Sequence, residues 1–368
     1  MSELTKFDRY LSDEGPAALV IREHLMPVEG NDGVLFPATF AAGDGFPGGY
    51  NIDTDVSGTS VCLIDSVGSQ ANRIEPMFML EKYRHLVPQI VVKAGEKEVN
   101  ILEAGHRAGD ALVRCSSLQQ ELRAAFKAVL AGNAEPLAKV APTSLVFGVW
   151  DSRDTQAKLP RVVASTIRAY NVRKLTRGAV YTPPLDYSSL DVFNEEDKAK
   201  AEGNNKSPLA QRGFVHNPAS GSHGGVIADG GIRRDATLGL AALRTIHVES
   251  NEQKTLALRR YLLGLSLVAF TSNPVSYLRQ GCMLVLNPDQ PREFVEVYPD
   301  GTRPPCDITH EAALAFATEA ARAFDIGKGQ TVDFDKKRAK EDVKDGGDKK
   351  AKSKSGRKNA DTDEAEDN

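Results

Sequence analysis

The chain has 368 residues, 41% hydrophobic and 26% charged, the balance of a soluble globular protein with one large or two ordinary domains. Its net charge of −4 argues mildly against a general affinity for polyanions. No apolar run approaches the ~18 residues of a membrane span, so no membrane partner is expected.

The opening "MSELTKFDRYLSDEG" is polar and acidic and reads as neither a secretory signal nor a transit peptide. Cys62, Cys115, Cys282 and Cys306 lie far apart, with no CxxC and no Cys/His cluster. That pattern predicts no zinc site, no disulfide framework, no cofactor and a cytoplasmic setting.

Taken in chain order, "AALVIRE" (Ala17 to Glu23) predicts a first strand, followed by an irregular stretch over residues 26–58. "TSVCLID" (Thr59 to Asp65) is a second strand and runs into "SVGSQANR". On a helix starting near Ser66, Val67, Ala71, Ile74 and Phe78 share one stripe. Ser66, Ser69, Gln70 and Arg73 share the opposite side, and Pro76 ends or kinks the helix. "QIVVKAGEKEVNILEA" predicts a hairpin turning at Ala94 and Gly95. In "AGHRAGDALVR", His106, Asp110 and Arg114 take successive i, i+4 positions of a helix, a candidate acid–base dyad or a structural ladder.

"SSLQQELRAAFKAVLAG" (Ser116 to Gly132) has a serine start, helical periodicity and a glycine stop. "TSLVFGVWD" (Thr143 to Asp151) reads as a buried strand, and "RVVASTIRAYNV" as a strand with Val162, Ala164, Thr166, Arg168 and Tyr170 on one face. A second irregular stretch, 182–235, predicts an arm with a mobile glycine-rich loop. "KTLALRRYLLGLSLVAF" is helical, "GCMLVLN" and "REFVEVY" are strands, and "THEAALAFATEAARAF" is a last helix. Together these predict an α+β fold on an antiparallel sheet with helices on one face. Residues 1–334 are expected to form a single domain. The tail, 335–368, carries eleven Lys/Arg and ten Asp/Glu with almost no apolar residues and is expected to be disordered.

Two constellations suit a sugar-phosphate strand. In the first, a helix N-terminus with Ser66, Ser69, Gln70, Asn72 and Arg73 offers unpaired N–H groups and small donors. The same residues also suit an amphipathic helix with a capped, solvated face. The second runs from Thr155 to Leu185 without one Asp or Glu. It carries Lys158, Arg161, Arg168, Arg173, Lys174 and Arg177, with Tyr170 and Tyr181 between them, and suits either phosphates and stacked bases or acids elsewhere in the fold. Arg233 and Arg234, at the exit of the glycine-rich loop, are further candidate phosphate contacts.

The order of "LIDSVGSQANRIEP", "AGHRAGDALVRCSS" and "SLVFGVWDSRDTQAKLPRVVASTIRAYNV" resembles the CRISPR-associated Cas-seven family of the RAMP superfamily. More narrowly, it resembles the backbone subunit of type I-G (formerly I-U) Cascade, over about residues 10 to 330. The resemblance implies an RRM-like (ferredoxin-like) palm, with a finger-like insertion at about 26–58 and a thumb-like one at about 182–235. It also implies a subunit that stacks in a helical filament along guide RNA (crRNA) and presents it to a target DNA strand. Its partners would then be copies of itself and the other Cascade subunits. No enzymatic activity is implied, although type III relatives cleave target RNA in a metal-dependent way with a loop aspartate. Asp53 and Asp55 lie in a candidate loop for that alternative. A subunit that accepts any guide should grip phosphate and ribose and leave base edges free.

Overall fold

Alternation builds the first strand, β1 (Ala18–Pro27), whose residues are alternately half-buried and buried. The computed structural model describes residues 3–344, and β1 runs through its centre. Around it an eight-stranded antiparallel sheet curls into a half-barrel. One side of β1 pairs with Ile232–Gly239 along its whole length; the other pairs with Cys282–Leu286 and with Glu293–Val297. Beyond Ile232–Gly239 come β2 (Val163–Tyr170), then Ser60–Asp65, then the short edge strand Ile52–Thr54. The fold is therefore a mixed α/β one on an antiparallel sheet, as the pattern predicted.

Leu19, Ile21, Val163, Ala236 and Leu238 face the main core, which the helices complete. The helix Val67–Ile74, α1, lies against β2. Helices α2 (Glu252–Thr271) and α3 (His310–Phe324) cross so closely that a Cβ on Gly264 would sit 2.8 Å from Ala317 Cα. A smaller core around Leu35, Ile64, Ile167, Val226 and Leu284 fills the other end of the same sheet face.

Three stretches depart from the sequence reading. Thr143–Phe147 is a short helix, not a strand, and only Val149–Trp150 is extended. Pro142 at the N-cap starts the helix and Gly148, at φ 77°, breaks it. Half of the stretch 182–235 is regular. Val172–Tyr181 and Asn217–Ala228 form a long hairpin, and Ile232–Gly239 is an inner strand of the sheet. The glycines permit close approach: a Cβ on Gly224 would lie 2.6 Å from Leu175 O and from Thr176. The arm between the hairpin strands carries its own small core of Ala201, Ala210 and Val215 with Phe193.

The tail, expected to lack structure from residue 335, begins instead with a helical stretch over 336–344. Asp335 N donates to Cys115 O at 2.7 Å, Arg338 Nη1 donates to Ser116 O at 2.9 Å, and Arg114 pairs with Asp342 at 2.7 Å. The rest of the tail lies outside the described residues, as do the side chains of 219–222. Among the described residues no helix is long and apolar enough to cross a membrane.

Buried charge locks the sheet. Glu23 of β1 pairs with Arg234 at 2.5 Å, with side chains 2% and 4% exposed, and accepts Arg292 at 3.0 Å. Arg234 is thus inside the protein, not among the surface phosphate contacts expected of it. Glu23→Ala should lower the unfolding free energy in urea by about 3–5 kcal/mol, since it leaves a buried guanidinium without its carboxylate. Exposed Lys174→Ala should change it by no more than about 0.5 kcal/mol.

Candidate nucleic-acid interface

Ser66 caps α1, its hydroxyl accepting from Ser69 N at 3.3 Å. The other polar groups of this motif turn towards Asp65, which is 1% exposed at the end of its strand. Ser69 Oγ donates to it at 2.8 Å, Gln70 Nε2 at 2.7 Å and Arg73 Nε at 3.1 Å. Arg279 adds a donor at 2.9 Å from the far edge strand Tyr277–Arg279. Gln70 is itself buried and accepts from Ser165 Oγ of β2 at 2.9 Å. Ser69, Gln70 and Arg73 therefore spend their strongest contacts on an internal carboxylate. Gly68 and Asn72 remain outward, with Asn72 Oδ1 accepting from Arg107 Nη2 at 3.2 Å.

Arg107 continues the same network inward. Its Nε approaches Glu75 Oε2 to 2.6 Å between side chains 4% and 1% exposed. The N–H does not point at the oxygen, so the contact is an ion pair and not an aligned hydrogen bond. Burial pushes the Glu75 carboxyl upward against the pull of Arg107, and it pushes the Arg107 guanidinium downward. Arg107 adopts φ 51° and also donates to Gly148 O at 3.2 Å.

The sheet face opposite the cores is half-exposed. Register places Leu63, Arg168, Arg233 and His24 in one row across four strands, with Thr166, Asp235, Arg22 and Glu293 in the next row but one. The alternation read from the sequence leaves Ala164, Arg168 and Tyr170 half-exposed, while Thr166 on the same face is buried; Val162 precedes the strand and is buried. Asp235 accepts Arg233 Nε at 2.9 Å and Arg22 Nε at 3.3 Å. The Arg233 guanidinium lies 4.8 Å from the Tyr170 ring centroid, a geometry that holds it over the aromatic face. Arg168 makes no ion pair among the described residues.

The other candidates divide the same way. Arg161 is exposed and unpaired among the described residues, its Nη2 3.9 Å from where a Gly68 Cβ would stand, at the start of α1. Lys158 is exposed beside Trp150. On the projecting hairpin, Lys174 is exposed and unpaired among the described residues, and Arg177 is exposed. Arg173 is held by Asp229 through bonds of 2.6 and 3.1 Å, which keep that carboxyl below its ordinary range. The structure thus brings Arg168 and Arg233 together on the sheet face and Arg161 to α1; Arg173, Lys174 and Arg177 stand apart on the hairpin. Sequence reasoning missed Arg22 and His24, which the alternation of β1 would have placed on the open face.

The His106–Asp110 pair does not keep its expected geometry. His106 and Asp110 flank a single 3-10 turn, Arg107–Gly109, with no continuous helix. Asp110 caps the next helix and accepts from the His106 backbone N at 3.3 Å, so the His106 ring has no part in that bond. Asp55 Oδ1 is held by Ser57 N, Ser57 Oγ and Thr59 N, bonds that lower its pKa. Asp53 sits in an edge strand. The four cysteines are buried and free, and burial lifts Cys62 to about 12 and Cys282 to about 11, far from a reactive thiolate.

Residues 19–174, which carry nearly all of β1, Asp65 with its donors from α1, and β2, match the family described as CRISPR-associated protein GSU0053. The matching family is CRISPR-associated. The type I-G resemblance read from the sequence is consistent with this match. No curated protein matches the chain. The GSU0053-matched region ends at Lys174, inside the first strand of the projecting hairpin.

Within that region the arginines should separate by role in urea denaturation. Arg73→Ala takes a charged donor from a buried carboxylate and should cost about 1.5–3 kcal/mol. Arg168→Ala removes an unpaired, half-exposed cation and should change stability by no more than about 0.5 kcal/mol. Equal losses from both would place Arg168 in the scaffold.

Proposed function

We propose that the chain is a guide-RNA-binding backbone subunit of a CRISPR interference (Cascade) complex, with an RRM-like palm that holds the strand by its sugar-phosphate edge. The observation that carries this reading is the unpaired Arg168 beside the Tyr170–Arg233 pair on an open antiparallel face, with Arg168 and Tyr170 inside the region that matches a CRISPR-associated family and Arg233 beyond it. Phosphate neutralisation needs cations that are not already neutralised, and Arg161, Arg168 and Lys174 meet that condition among the described residues. Free cations without a shaped base pocket give sequence-tolerant binding, which leaves Watson–Crick edges for a target DNA strand.

Stacking of copies along the guide needs a heterologous contact between different patches of one chain. Exposed Val180, Tyr181, Leu185, Leu190 and Val192 on the projecting arm suit such a contact. On this reading the subunit holds RNA and does not cut it. The turn bonds that occupy Asp55 support that half of the proposal, because they compete with any metal for the same oxygen.

Binding of single-stranded RNA should be sequence-tolerant and salt-dependent, with a log–log slope near about −3 for ~4 phosphates. Replacing Arg161, Arg168 and Lys174 together by Ala should bring that slope to about −1, whereas Arg173→Ala alone should move it little. A slope untouched by the triple change would remove these cations from the interface. Labelled RNA paired to a complementary strand should stay intact with the protein in Mg²⁺ or Mn²⁺; regular cleavage would overturn the holding role.

A further inference from the structure

The chain has one tryptophan, and Trp150 is 57% exposed. So large an aromatic surface is seldom left in water without a use. The small hairpin that carries it, Val149–Trp150 against Lys158–Leu159, is firmly based. Val149 is buried, its methyl lying where a Gly109 Cβ would come within 3.1 Å. Asp151 closes the loop by accepting from Thr155 N at 2.9 Å and Thr155 Oγ1 at 2.7 Å. The ring is therefore presented on a fixed support.

One cation lies beside the ring and another is seated at the base of the hairpin. Lys158 pairs with Trp150 in the hairpin register, and its ammonium lies 5.5 Å from the ring centroid. Gly148 has no room for a side chain, because a Cβ there would sit 2.9 Å from Arg161 Cγ. That contact seats the Arg161 stem against the hairpin while its guanidinium reaches towards Gly68 at the start of α1. Between residues 131 and 179 Trp150 is the only exposed large hydrophobic residue among those described. A protein-binding hot spot is normally ringed by further apolar contacts that exclude water. An exposed ring with an ammonium beside it, on a hairpin whose base seats the Arg161 stem, suits a nucleobase with phosphates near it.

We propose that Trp150 is a stacking platform for one unpaired nucleobase of a bound single strand, with Lys158 and Arg161 taking the flanking phosphates. This rests on the strand-binding function proposed above. Stacking on a ring face accepts any base, so the platform adds affinity without adding sequence preference.

The lone tryptophan makes the test direct. Full-length protein is titrated with fluorescein-labelled oligouridylate and with an abasic ribose-phosphate oligomer of equal length, and both label anisotropy and tryptophan emission are read. Both oligomers should raise the anisotropy, and only oligouridylate should quench the tryptophan. Trp150→Ala should weaken oligouridylate by about tenfold, within the range of base–aromatic stacking, and leave the abasic oligomer within about twofold. Trp150→Phe, which keeps a ring face, should recover part of that loss. Rising anisotropy with unchanged emission and unchanged Trp150→Ala affinity would overturn the platform and leave strand binding standing. Equal weakening of both oligomers would also overturn it, by making Trp150 a support for the cations. No anisotropy change with either oligomer would overturn both proposals.

Discussion

The buried carboxylate of Asp65 is the constraint on which the centre of this fold depends. Removed from water, it needs donors on every side, and it receives them from α1 through Ser69, Gln70 and Arg73 and from the far edge strand through Arg279. Gln70 passes the connection on to Ser165 of β2. Four separate pieces of chain are thereby held in one arrangement: the strand ending at Asp65, the helix after it, β2, and Tyr277–Arg279. The angle at which α1 leaves the sheet follows from these bonds, and with it the outward placement of Gly68 and Asn72.

That knot divides the cations of the protein into two populations. Arg73, Arg279, Arg234 and Arg107 are bound to carboxylates that are almost wholly buried; they hold elements together, and their charge is already neutralised. Arg161, Arg168 and Lys174 have no acidic partner among the described residues and sit at the surface. Arg22, Arg233 and Arg173 fall between, each tied to an exposed or half-exposed acid that a stronger polyanion can displace at modest cost. A net charge of −4 is compatible with anion binding for this reason: the sum counts neutralised and free cations alike, while a phosphate meets only the free ones.

The same division explains what the sequence disclosed. Period-two alternation is local, so β1, the strand ending at Asp65, and β2 were readable, as were the open-face positions of Arg168 and Tyr170. The partner of an arginine is not local. Arg234 meets Glu23 from 211 residues away, and a basic run cannot announce that one member is buried. The Ser69–Arg73 donors had their acceptor four to eight residues upstream, yet nothing in the pattern says that Asp65 points inward. The strand Ile232–Gly239 hid behind glycines that read as a loop. In the fold they are spacers, where Gly224 lets two backbones approach within a distance any Cβ would forbid. The helix after Pro142 hid because three consecutive buried apolar residues, Leu145, Val146 and Phe147, carry no period that distinguishes it from a strand.

How the free cations act on a strand depends on their separation. Arg161 and Arg168 stand seven residues apart along and just before β2, and an extended chain rises ~3.3 Å per residue, which puts their backbones about 20 Å apart. Screening at physiological salt reaches only ~8 Å. The two guanidinium groups therefore do not merge into one field that attracts any polyanion from a distance; each neutralises a phosphate it touches. A strand that passes from the open face at Arg168 round to the start of α1 at Arg161 would engage both, whereas a compact anion meets one at a time. On the proposed strand-binding reading, affinity would grow with the length of strand engaged, and selectivity for an extended polymer over small anions would come from the spacing of charges, with no need for a high total charge.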